Sequence, residues 1–132
     1  MNDEVDVFEV ELTDDFKADI KRFVKKKKFV NLPNQIQELV CGLKKGDFPG
    51  VVIKRVDSPL KHEIYKLRLP NIDTNEGKSN GYRVYYSVML DDEFVLLITI
   101  YYKKETESIS ENYIDGLIEG YLFGRNGAGK ED

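Results

Sequence analysis

Lys66 and Arg68 are two residues apart in a segment, residues 62–69, whose side chains alternate between polar and apolar. Alternation at period two marks a strand, and on a strand both cations emerge on one face, ~6.6 Å apart along the chain. Arg83 and Tyr85 repeat that spacing in the next strand-like segment, residues 81–90. Tyr102, Lys103 and Lys104 close the apolar run of residues 94–102. A guanidinium grips phosphate through paired N–H donors, and a phenol ring stacks on a base or passes a proton. These residues therefore predict a cationic, aromatic surface suited to a polyanion. Whether Arg68 and Arg83 share a face depends on strand register, which one sequence leaves open. His62, four residues before Lys66 on the same strand face, has a side chain whose ordinary pKa suits proton transfer.

Other chemistries lack their residues. One histidine and one cysteine, Cys41, cannot build a His-rich or thiolate metal site, and no internal disulfide is possible. Residues 77–79, Gly-Lys-Ser, lack the preceding glycines of a nucleotide-binding loop, and no G-x-S-x-G turn occurs. No cofactor is expected. Cys41 lies in an apolar helical pattern and is expected in the core of a protein in a reducing compartment.

The net charge of −4 hides a partition. Residues 1–20 carry −7, residues 21–104 carry +8, and residues 105–132 carry −5. A surface field depends on where charges sit, so the acidic total does not exclude a basic body. The four consecutive lysines, Lys25 to Lys28, wrap around a helix end rather than line one side. The acidic start is unlike a secretory leader, and the apolar run at 95–102 is too short to span a bilayer. A cytoplasmic protein with no membrane partner is expected.

The elements that must position these groups follow in order. Residues 5–10 alternate loosely, as an edge strand does. Thr13, Asp14 and Asp15 mark a helix start, and Phe16, Ile20, Phe23 and Val24 recur at helical spacing. A second helix is expected over 33–45, with Ile36, Leu39, Val40 and Leu43 as its stripe and Gly46 as its stop. Residues 51–56 read equally as a strand or a connector. Residues 71–80 read as a flexible loop, and the short link at 91–93 makes its flanking strands an antiparallel hairpin. Ser108 and Glu111 fit a capping box for a last helix, with Gly116, Gly120 and Gly124 free to permit close backbone packing. The expected fold is α+β: a short antiparallel sheet with an N-terminal helical hairpin on one face and a C-terminal helix. Residues 1–123 form one domain, with 124–132 a disordered tail.

Three stretches together resemble toxins of the RelE/ParE superfamily, especially its RelE/HigB-like branch. Residues 62–68 read HEIYKLR, 77–86 read GKSNGYRVYY, and 96–104 read LLITIYYKK. The family places a K-x-R strand before a G-Y-R strand, then an apolar strand ending in basic residues, and the likeness covers about residues 5–115. The resemblance implies a toxin of a toxin–antitoxin pair, held inactive by a cognate antitoxin and cleaving mRNA on the ribosome without a metal. It implies Lys66, Arg68, Arg83, Lys103, Lys104 and Tyr102 as catalytic residues, and Lys66, Arg68, Arg83, Tyr85 and Lys104 as RNA contacts. Within that reading Lys66 takes the 2′ proton, although a lysine at its ordinary pKa of ~10.4 is a poor base and crowding by cations would have to lower it. RNA-cleaving members often carry a tyrosine near the position of Ile109 or Ser110, where this chain has none; Tyr101, Tyr102 or Tyr113 would have to substitute. ParE-like relatives instead bind DNA gyrase without catalysis, and an inert RNA-binding or protein-binding member is the remaining alternative.

Overall fold

A computed structural model describes residues 5–127 of the chain. The elements run β1 (Glu9–Leu12), α1 (Asp14–Lys27), α2 (Leu32–Lys44), β2 (Val51–Val56), β3 (His62–Leu69), β4 (Tyr82–Met89), β5 (Phe94–Tyr102) and α3 (Glu111–Gly127). The strands form one sheet in the order β1-β5-β4-β3-β2. Strands β2 to β5 make an antiparallel meander, and β1 joins its far edge parallel to β5. The sheet is therefore mixed rather than purely antiparallel. The helical hairpin carries the chain from β1 to the opposite edge, and four alternating strands bring it back in β1's own direction.

Local chemistry sets each boundary. Thr13 caps α1, its Oγ1 accepting from the Phe16 N–H at 3.1 Å and donating to the Ile98 carbonyl at 2.7 Å. One hydroxyl thus starts the helix and fixes it to β5. The lysine run ends α1 with Lys28 at φ 65°, and the Phe29 N–H returns to the Phe23 carbonyl at 3.0 Å. This is the left-handed helix stop in which the next residue packs back, and the Phe29 ring stacks on Phe23. In α2 the stripe is Leu32, Ile36, Leu39 and Leu43, all buried. Cys41, expected in the core, is exposed. Two residues past Leu39 is ~200° around the helix, on the far side from that stripe. Gly46, at φ +91°, follows the end of the helix as expected.

The helices cover both faces of the sheet. Under α1 and α2 lies a core that includes Phe16, Phe23, Leu43, Tyr82, Val84, Tyr86 and Leu97. On the other side Ile114 and Ile118 of α3 pack on Ile64, Tyr85, Leu96, Ile98 and Tyr101. Strand β5, apolar on both sides in sequence, is sandwiched between them. Residues 51–56 are an edge strand, with a register shift between Val52 and Lys54.

Four expectations are corrected at the loops and α3. Residues 71–80 are tied down rather than loose. Asn71 and Glu76 exchange backbone bonds at 3.0 Å, Asp73 accepts from the Asn31 backbone and side chain, and Gln35 donates to the Pro70 carbonyl at 2.7 Å. The cap of α3 is Ser110, whose Oγ accepts from the Tyr113 N–H at 3.1 Å, and not a Ser108–Glu111 box. A Cβ on Gly116 or Gly120 would meet nothing within 4 Å, so neither glycine serves close packing. Helix α3 continues through Gly127, four residues into the expected tail; the remainder of that tail lies outside the described residues. Among the described residues no helix is long and apolar enough to cross a membrane.

Candidate functional site

Pairing between strands sets the candidate residues in two rows across the α3 side of the sheet. In one row Arg68 stands opposite Arg83, and Arg83 opposite Tyr101. In the next, Lys66 stands opposite Tyr85, and Tyr85 opposite Thr99. The β4–β5 register then steps over Ile98, a bulge that puts one extra residue into β5. Helix α3 covers the Ile64–Leu96–Ile98 part of this face; Arg68 remains exposed and Lys66 half-buried.

The four central residues do different things. Lys66 Nζ lies 5.9 Å from the centre of the Tyr85 ring, within cation–π range. Tyr85 is buried and stacks on Tyr101 with ring centres 6.3 Å apart. Burial first, and then Tyr101 beside it, pushes the Tyr85 hydroxyl far above its ordinary pKa, so it stays a neutral phenol. Arg83 is only 4% exposed. Its Nη1 donates to the carbonyls of Lys78 at 2.9 Å and Tyr82 at 3.3 Å, and its Nη2 to Ser79 at 3.0 Å. The guanidinium that the resemblance gave to a phosphate thus holds the 78–82 backbone. Gly81 makes the turn between that loop and β4. A Cβ there would stand 2.1 Å from the Leu69 carbonyl oxygen, so only glycine fits.

The basic residues at the end of β5 do not join these rows. Tyr102 points into the α1–α2 core, its ring edge-on to Phe29 at 5.3 Å. Its hydroxyl donates to Glu76, and Lys104 forms an ion pair with the same carboxylate. Bonds from Lys104 first, then from Tyr102 and Thr74, hold the Glu76 pKa down to about 2. Lys103 lies 3.5 Å from Glu107. His62 is on the α3 face, where its Nδ1 meets the Leu60 carbonyl at 2.7 Å. It borders a separate cavity between the β2–β3 end and α3. Tyr113 donates to Asp15 at 3.2 Å.

Sequence reasoning passed over the α1 residues that flank this face. Asp19 and Arg22 lie beside the last residues of β5, with Thr99 and Tyr101. Their spacing of three on α1, along one flank of the stripe Phe16–Ile20–Phe23, is the signal that could have found them as a pair. Among the described residues no group of three or more His, Cys, Asp or Glu side chains is placed to hold a metal ion. No family model, curated protein or solved structure matches the chain.

Proposed function

We propose that this chain is a RelE/ParE-type toxin of the cytoplasm, restrained by a cognate antitoxin, that binds RNA across the β3–β4–β5 face and cleaves mRNA on the ribosome. The observation that carries this reading is the pair of cross-strand rows. Lys66 and exposed Arg68 stand side by side, backed by Tyr85 and Tyr101. A phosphate over Arg68 meets a planar donor fork, and the buried Tyr85 ring beneath Lys66 holds that ammonium beside it. In the reaction the 2′ oxygen attacks the neighbouring phosphorus and the bond from phosphorus to the 5′ oxygen breaks. The products are a 2′,3′-cyclic phosphate and a 5′ hydroxyl. We assign acceptance of the 2′ proton to Lys66, charge stabilisation to Arg68, and return of a proton to the 5′ oxygen to the Lys66 ammonium so formed. Arg83 acts one step back, by fixing the loop that frames the face.

A second reading has its own support. Arg83 spends its guanidinium on three carbonyls, and Tyr102 and Lys104 lie with Glu76 away from Lys66. That arrangement suits a non-catalytic member of the fold that binds RNA or DNA gyrase. Controlled expression with mapping of mRNA 5′ ends separates the two. New ends within codons that disappear in Arg68→Ala support cleavage. DNA damage without new RNA ends supports gyrase binding and overturns the nuclease.

A further inference from the structure

Strand β1 pairs with β5 only as far as Leu12 and Leu97, and Thr13 takes the next two carbonyls, of Leu97 and Ile98. Beyond that point no strand lies beside the outer edge of β5 among the described residues. The gap is a cavity of about 300 Å³ bounded by Asp19 and Arg22 of α1, Thr99 and Tyr101 of β5, and Ile109 and Tyr113 ahead of and within α3. Thr99 and Tyr101 are also the β5 ends of the two rows that carry Lys66 and Arg68. The cavity and the cations are therefore opposite ends of the same two rows, two strand spacings or ~10 Å apart, with the buried side chains of Arg83 and Tyr85 between them.

We propose that this cavity is a nucleobase pocket, selective for guanine, that receives the base of an RNA strand whose phosphate lies over Lys66 and Arg68. The inference rests on the RNA reading above and adds the identity of the base. Shape is the first argument. The volume takes one planar base, and two tyrosine rings, of which Tyr113 is 46% exposed, supply aromatic walls. Charge is the second. Asp19 in the pocket accepts from a neutral base and disfavours phosphate; Arg22 beside it is held by Glu105, and the cations Lys66 and Arg68 lie at the other end.

The choice of base follows from Asp19. Its carboxylate is 4.0 Å from Arg22 Nε, whereas the terminal nitrogens of Arg22 reach Glu105 at 3.1 and 3.5 Å. Glu105 also holds Lys27 at 2.9 Å. Arg22 is thus drawn towards Glu105 and leaves Asp19 facing the cavity. Partial burial raises the Asp19 pKa, offset by Arg22 and reinforced by Asp15 and Glu105, which marks a carboxylate short of donors. Guanine presents two adjacent donors on its Watson–Crick edge, N1–H and the N2 amino group, and satisfies both carboxylate oxygens at once. Cytosine, adenine and uracil present one donor group on that edge.

The test uses the full chain and fluorescein-labelled single-stranded RNA ten-mers, one all uridine and one with a single central guanosine, read by anisotropy. The wild type is expected to bind the guanosine ten-mer about fivefold more tightly, the lower end for one bidentate contact. In Asp19→Asn the ratio falls below twofold. Tyr113→Ala, at an exposed site, is expected to lower the same ratio, so the result does not hang on one variant. Circular dichroism checks that both are folded. Equal binding of the two ten-mers by the wild type, or an unchanged ratio in Asp19→Asn, overturns the guanine pocket and leaves the RNA surface standing. No binding of either ten-mer overturns both.

Discussion

Arg68 and Arg83 face each other directly across β3 and β4, yet one is exposed to water and the other is sealed beneath the 78–82 backbone. Like charges directly opposite each other on neighbouring strands repel. The three carbonyls on Arg83 offset that repulsion, because they supply negative dipoles where a phosphate would otherwise sit. The two arginines therefore differ in kind, and substitution should separate them. Arg83→Ala removes the donors of three loop carbonyls and is expected to lower unfolding stability by about 1.5–3 kcal/mol in urea titration. Arg68→Ala at an exposed site should stay within ~0.5 kcal/mol of wild type. Equal stabilities for the two variants would contradict this division.

Glu76 makes a second prediction, in pH. Its folded pKa is about 2 against an ordinary 4.5, held down by Lys104, Tyr102 and Thr74. A depressed carboxylate contributes stability that is complete above the unfolded pKa and is lost as pH falls through the folded one. The clasp should therefore be intact above pH 4.5 and lose its contribution between there and pH 2. Glu76→Gln is expected to be less stable than wild type at neutral pH, with the difference closing over that window. Thermal melts from pH 7 to 2 measure it; a difference constant with pH would contradict the assignment.

Much of this architecture is legible in local pattern. The alternation of Ile64, Lys66 and Arg68 against Tyr65, Leu67 and Leu69 gives the strand and the shared face of the two cations. Thr13 with Asp14 and Asp15 gives the start of α1, and Gly46 the stop after α2. What local pattern misses depends on partners distant in sequence. The 71–80 segment reads as loose because Asn31, 42 residues from Asp73, is what ties it. Arg83 reads as a phosphate ligand because the carbonyls that occupy it belong to a backbone path that no residue type encodes. Tyr102 and Lys104 read as members of the same cluster, yet side-chain direction and the Glu76 clasp carry them away from it.

The glycines of α3 make a third prediction. Gly116 and Gly120 have open space where a Cβ would go, so their flexibility serves no contact among the described residues. Alanine at either position keeps the helix and removes unfolded-state freedom. Each substitution is expected to stabilise by about 0.5–1 kcal/mol, read as a raised Tm. Destabilisation would mean that the helix packs more closely than its geometry indicates.

Two serines near the start of α3 give a fourth. Ser110 accepts the Tyr113 N–H, and the Ile114 N–H returns to the Ser110 carbonyl at 3.2 Å, as a cap residue requires. Ser110→Ala should cost about 1 kcal/mol. Ser108→Ala, two residues too early to cap, should cost under ~0.5 kcal/mol. A reversed order in urea titration would restore the cap that the sequence motif implied.

Salt dependence gives the fifth and tests which basic groups touch RNA. Each phosphate neutralised on a single strand releases counterions and adds about 0.7 to the slope of log K against log salt. Lys66 and Arg68 sit half-buried and exposed on the shared face, with no carboxylate opposite them in the strand register. Lys66→Ala and Arg68→Ala should each lower the slope by about 0.7, and the double variant by roughly twice that. Lys104 is already neutralised by Glu76, so displacing it onto a phosphate would have to break the clasp first. Lys104→Ala should leave the slope near wild type, and its cost should appear in stability at neutral pH and fade towards pH 2, as its bond to Glu76 does. A slope lowered equally by all three variants would place the RNA path across the end of β5 and not over the Lys66–Arg68 rows.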